Sequence, residues 1–157
     1  MAKLLSRRDF LSTLTLGGGL SMYQTLKASV KPESLCCRTP EIEPESTSLA
    51  DNSLLIHLPA AHSILEPGSA ASFSDEDRSL HIIIVHDVDN SYHVCAKFCT
   101  HGGHQPVSYI PKRQLLQCNG YSHSLFTLKG EVRKGPAPEP LKRYTVRKHE
   151  QTLEISL

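Results

Sequence analysis

His81-Ile82-Ile83-Ile84-Val85-His86 is the strongest structural signal in the chain. A short, mostly β-branched apolar run of this kind reads as a strand rather than a helix. Asp87-Val88-Asp89-Asn90 follows as a hairpin turn. Ser91 to Lys97 then returns, with Tyr92, Val94 and Ala96 on one face and His93 and Cys95 on the other. Working outward, Leu54-Leu55-Ile56-His57-Leu58 is an earlier run, and Gln114-Leu115-Leu116-Gln117 leads into Cys118. Leu125 to Leu128, a turn at Lys129-Gly130, and Glu131-Val132 form a further hairpin. Tyr144 to Arg147 and Thr152 to Ile155 close the chain. Strands this short and evenly spaced predict an all-β fold, an antiparallel sandwich or barrel, over residues 51–157.

The length of 157 residues admits one ordinary domain, or a domain and a targeting segment. With 39% apolar residues, 10 Pro and 9 Gly, the chain is too apolar for disorder and too rich in turn formers for a helical bundle. No run approaches the roughly 18 apolar residues of a transmembrane helix. The formal charge of +1 comes from 17 basic and 16 acidic side chains. Residues 1–30 hold four basic residues and one acid, which leaves the remainder slightly acidic with 13 basic and 15 acidic residues. That balance excludes nucleic acid as the main partner.

Ser6-Arg7-Arg8-Asp9-Phe10-Leu11 precedes a weakly apolar run, Ser12 to Leu20, interrupted by Gly17, Gly18 and Gly19. It resembles a twin-arginine signal, with Ser12 where the pattern carries Lys, and residues 1–30 are read as that segment. Leu26-Lys27-Ala28 is a fair cleavage site, so an uncleaved signal acting as a loose membrane anchor stays open. The route it resembles carries folded proteins, commonly with a cofactor already inserted. Residues 31–50, with Pro32, Pro40, Pro44 and three closely spaced Glu, have no hydrophobic period and read as a linker. Cys36-Cys37 within it has no assigned role.

Two loops carry the chemistry: Cys99-Thr100-His101-Gly102-Gly103-His104 and Cys118-Asn119-Gly120-Tyr121-Ser122-His123-Ser124. Each follows an apolar run and offers one thiolate and at least one imidazole. Cys-x-His places two ligands on one tight turn, and the glycines let the backbone wrap closely around a metal centre. A hairpin between His101 and Cys118 brings the loops side by side.

These loops resemble those of Rieske iron–sulfur proteins, which hold a [2Fe–2S] cluster by two Cys on one iron and two His on the other. Cys99-Thr100-His101-Gly102 matches the first-loop pattern. Phe126 to Val132 resembles the hairpin after loop two, Gly135-Pro136-Ala137-Pro138-Glu139-Pro140-Leu141 the proline loop over the cluster, and Arg143 to Val146 the next strand. The resemblance implies a Rieske-type antiparallel β-sandwich with two cluster-binding loops, preceded by a signal segment. It also implies the ligands Cys99, His101, Cys118 and His123. Loop two departs from the pattern: Tyr121 stands where the family places its second His, and the nearest imidazole is His123, giving Cys-x4-His. A bulge that brings in His123 is the favoured reading. Substitution by His104, a degenerate site and, last, ligation by Tyr121 are the alternatives.

Respiratory members often join the two loops by a disulfide, but His104 and Gly120 stand near those positions. The resemblance therefore implies a disulfide-free, lower-potential centre, in the lower half of roughly −150 to +300 mV. Ser122, Ser124 and Tyr121 are candidate hydrogen-bond donors to the sulfurs. Exposed imidazole ligands imply electron uptake coupled to proton uptake, with a midpoint that falls at alkaline pH.

The bland alternatives are a tetrahedral zinc site and a Cys99–Cys118 disulfide in a cluster-free protein. Cys95 reads as a small buried hydrophobe, and the remaining histidines as surface or strand-edge residues. No catalytic triad or phosphate loop is present, so the chain is at most an electron-transfer subunit of an oxidoreductase. The expected partner is a redox protein such as a cytochrome or a membrane oxidoreductase subunit, at the periplasm or the outer face of the cytoplasmic membrane. A Rieske-fold binding or assembly module without a functional cluster is the alternative.

Overall fold

The structure, a computed structural model, describes residues 39–102, 104–121 and 123–157. Its strands are β1 (Thr47–Leu49), β2 (Ser53–His57), β3 (Ser69–Asp75), β4 (Leu80–His86), β5 (Tyr92–Ala96), β6 (Val107–Ile110), β7 (Leu115–Cys118), β8 (Leu125–Thr127), β9 (Val132–Lys134), β10 (Arg143–His149) and β11 (Thr152–Ser156). The helical elements among the described residues are single 3₁₀ turns. No helix among these residues is long and apolar enough to cross a membrane.

Seven strands form one sheet in the order β1-β2-β11-β10-β5-β4-β3, and β6-β7-β8-β9 form a second. Neighbouring strands pair antiparallel throughout. The predicted all-β antiparallel architecture is the one observed. β4 explains the unbroken apolar run at its centre. Ile82 and Ile84 enter a core with Leu54, Ile56, Leu153 and Ile155, all from strands of the large sheet. Ile83 and Val85 enter a second core with Val107, Leu116 and Phe126, under the small sheet. A strand covered on both faces needs no polar alternation. Each fully buried Ile contributes about 1.5–3 kcal/mol by leaving water, so β4 is the member both layers depend on. β5 divides in the same way, with Val94 in the first core and Cys95 in the second.

β3 and β6, like β1 in the stretch read as a linker, have no clear signal in the sequence. β3, Ser-Ala-Ala-Ser-Phe-Ser-Asp, is rich in small polar residues, yet it pairs with β4 along its whole length, Ser69 opposite His86 through Asp75 opposite Leu80. β6 is made a strand by its partner, with Val107 opposite Cys118 and Ile110 opposite Leu115. The stretch read as a linker also differs in its described part. Ile42 is 4% exposed within the first core, and its N–H donates to the Ser72 carbonyl at 2.9 Å. Glu43 accepts from the N–H and hydroxyl of Ser63, and β1 lies within the same stretch. One buried Ile and backbone pairing to a neighbouring strand leave no periodic trace, so composition alone assigned residues 39–50 to a linker. The twin-arginine-like segment and Cys36-Cys37 lie outside the described residues.

Candidate metal centre

Loop one leaves β5 and returns as β6, closed at its base by backbone pairing. Val107 N–H donates to the Lys97 carbonyl at 2.8 Å, and Cys99 N–H to that of Gln105 at 2.8 Å. Loop two joins β7 to β8 and is closed by Cys118 N–H donating to the Ser124 carbonyl at 2.8 Å. Asn119 N–H donates to the Pro106 carbonyl at 2.9 Å, tying loop two to the base of loop one. The Val107–Cys118 register pair thus sets both loops at one end of the β6–β7 hairpin.

Three ligand-type side chains converge there. Cys99 Sγ lies 2.9 Å from His101 Nδ1, and Cys118 Sγ lies 3.8 Å from the same nitrogen. All three donor atoms fall within 4.8 Å of one another. Both cysteines are fully buried free thiols, while His101 is half-buried. Burial raises the pKa of the Cys118 thiol, and the Gly120 N–H, 3.4 Å from its sulfur, partly opposes this. Soft sulfur donors beside an imidazole suit zinc or iron–sulfur ligation, with deprotonation as the metal enters.

His123 is not in this group. It is exposed, its φ is +46°, and Gln117 Nε2 donates to its Nδ1 at 3.1 Å. His104 is exposed and Tyr121 wholly so. Cys95 is in the second core, where burial pushes its thiol up to about 11.

The proline loop is bound to both metal loops, and the residues that bind it were not singled out for this role by sequence reasoning. Thr100 Oγ1 donates to the Glu139 carbonyl at 2.7 Å. Ser124, named as a donor to sulfur, is fully buried and accepts from Ala137 N–H at 3.2 Å. Gly135 has φ +108°, and a Cβ there would lie 2.6 Å from Ser124 Cα. The signal available in the sequence was Gly135 itself, a glycine immediately before a proline segment.

Solved structures that match this chain include the cyanobacterial plasma membrane Rieske protein of Synechocystis PCC 6803, at 18% identity and a TM-score of 0.49, covering 56% of this chain and 86% of that one. The ferredoxin of carbazole 1,9a-dioxygenase from Nocardioides aromaticivorans matches at 16% identity and 0.49, covering 58% and 86%. A quaternary ammonium Rieske monooxygenase of gut microbiota matches at 14% and 0.48, covering 60% of this chain and 28% of the larger protein. No curated protein sequence matches the chain. The family model for the Rieske [2Fe-2S] domain matches residues 59–145, a stretch that includes β3 to β9, both metal loops and the proline loop. A match over more than half of the chain, joined to buried Cys99 and Cys118 converging on His101, identifies this protein as a member of the Rieske [2Fe–2S] domain family.

Proposed function

We propose that this protein is an exported one-electron carrier, serving a redox partner such as a cytochrome or a membrane oxidoreductase subunit. The observation that carries the reading is the convergence of Cys99, His101 and Cys118 within the matched domain. When bound, a [2Fe–2S] cluster supplies reversible one-electron chemistry, and mixed Cys/His ligation raises its potential above that of an all-thiolate centre. Cys99 and Cys118 would hold one iron, and His101 with His123 the other. For His123 to serve, its Nδ1 must exchange the Gln117 amide for the metal. The buried cysteines keep water from the sulfur side, while half-buried His101 is reachable from solvent. Export rests on the Ser6 to Leu11 pattern, and places the protein in the periplasm or at the outer face of the cytoplasmic membrane.

The deciding experiment is low-temperature EPR of the dithionite-reduced protein, with iron quantified after anaerobic purification. A rhombic signal of low average g value with about two irons per chain supports the carrier. Loss of that signal in His123→Ala, but not in His104→Ala, assigns the fourth ligand. The seating of His123 on Gln117 favours a second reading, a binding or assembly module without a cluster. Iron-free, EPR-silent protein would establish that one instead.

A further inference from the structure

The cluster loops sit at one end of the β6–β7 hairpin, and the other end is held by a residue with no place in the metal site. Asp87, in the β4–β5 turn of the large sheet, is only 7% exposed. Its Oδ1 accepts from Val88 N–H at 2.7 Å within its own turn. The same oxygen accepts from Tyr109 O–H at 3.2 Å and from Gln114 Nε2 at 3.4 Å. Tyr109 is in β6, and Gln114, at φ +51°, is in the connection to β7. One carboxylate of the large sheet thus grips the small sheet at the closed end of the hairpin. Burial and the neighbouring Asp87 charge push the Tyr109 phenol up to about 12, so it remains a donor.

The distance between the two ends matters. Tyr109 pairs with Leu116, and Val107 pairs with Cys118 two positions on, about 7 Å at 3.3 Å per residue. A strand pair this short transmits tilt at one end directly to the other. At the loop end the hairpin is held by the Lys97–Val107 and Asn119–Pro106 backbone bonds. Asp87 is buried, so losing its donors would cost it much of its desolvation penalty, whereas Tyr109 is half-buried and Gln114 is exposed. The grip is therefore stronger than a surface hydrogen bond of the same length.

We propose that Asp87 is a positioning residue for the cluster loops, anchoring the β6–β7 hairpin to the large sheet through Tyr109 and Gln114. Its bearing on the metal rests on the function proposed above, whereas the anchoring itself does not. Hydrogen exchange of the full chain, with and without cluster, tests it in Asp87→Ala, Asp87→Asn and Tyr109→Phe. In Asp87→Ala, exchange over residues 107–118 rises at least about tenfold (1.4 kcal/mol) relative to β2 and β11, and the cluster is lost severalfold faster. Asp87→Asn keeps an oxygen acceptor and restores most of the protection. Tyr109→Phe leaves the β4–β5 turn intact and gives a smaller rise confined to 107–118. A uniform rise over both cores, or no rise, overturns the proposal. If the wild-type chain binds no iron, the carrier reading fails while the exchange comparison still decides the anchor.

Discussion

Gly135 packs directly on Ser124: a Cβ at Gly135 would stand 2.6 Å from Ser124 Cα and 2.8 Å from its Oγ. The proline loop can therefore close over the second metal loop only where residue 135 has no side chain. The same approach lets Ala137 N–H reach the buried Ser124 hydroxyl.

Gly135→Ala combines a backbone clash with a φ of +108°, which L side chains rarely adopt. Strain of this kind costs about 1–3 kcal/mol, and the clash adds to it. The expected result in denaturant titration is a loss of at least that size. A change below about 0.5 kcal/mol would mean that the proline loop does not sit on Ser124.

Thr100→Val removes the side-chain bond from Thr100 to the Glu139 carbonyl but keeps the β-branched shape. A neutral hydrogen bond of this type contributes about 1 kcal/mol, and less where solvent reaches it. The cluster-loaded variant should bleach severalfold faster in visible absorbance with little change in global unfolding. Unchanged bleaching would detach Thr100 from loop closure.

Alkaline stability should carry the mark of Cys95. Its thiol ionises near 9.0 when unfolded and is pushed up to about 11 by burial, with Arg143 opposing slightly. Between those values the unfolded chain releases the proton and the folded chain keeps it, so stability falls as pH rises above 9. Cys95→Ala should flatten that part of the pH–stability curve. An equally steep curve in the variant would place the slope elsewhere.

On the acid side, His93 has its pKa lowered, mainly by burial, with Asp87 and Asp89 pulling it back. Below 6.5 the unfolded chain takes up the proton first, so His93 contributes a loss of stability as pH falls through 6.5. His93→Gln should reduce the slope just below that pH, read by thermal melts in a buffer series. No reduction would mean that His93 titrates alike in both states.

The resemblance of the loops to those of disulfide-free Rieske centres implies a redox midpoint in the lower half of roughly −150 to +300 mV. Protein-film voltammetry checks this; a midpoint near the top of that range would overturn it.

The residues themselves carried the β-character of the domain and the identity of the metal loops. Ile82 to Val85 is a strand by local stereochemistry, and Cys99-Thr100-His101 puts two donors on one turn without help from the rest of the chain. Contacts between distant residues decided the remainder. β3 and β6 are strands because β4 and β7 offer them backbone partners, and Ile42 folds onto the body through Ser72. Two-sided burial of β4, the grip of Asp87 on Tyr109 and the seating of Gly135 on Ser124 likewise join positions far apart in sequence. His123 is the clearest division: as the nearest imidazole after Cys118 it is the ligand the sequence nominates, while in the structure its imidazole meets Gln117. Local propensity and spacing are properties of a few neighbouring residues, whereas register, burial and hydrogen-bond partners exist only once both sheets have come together.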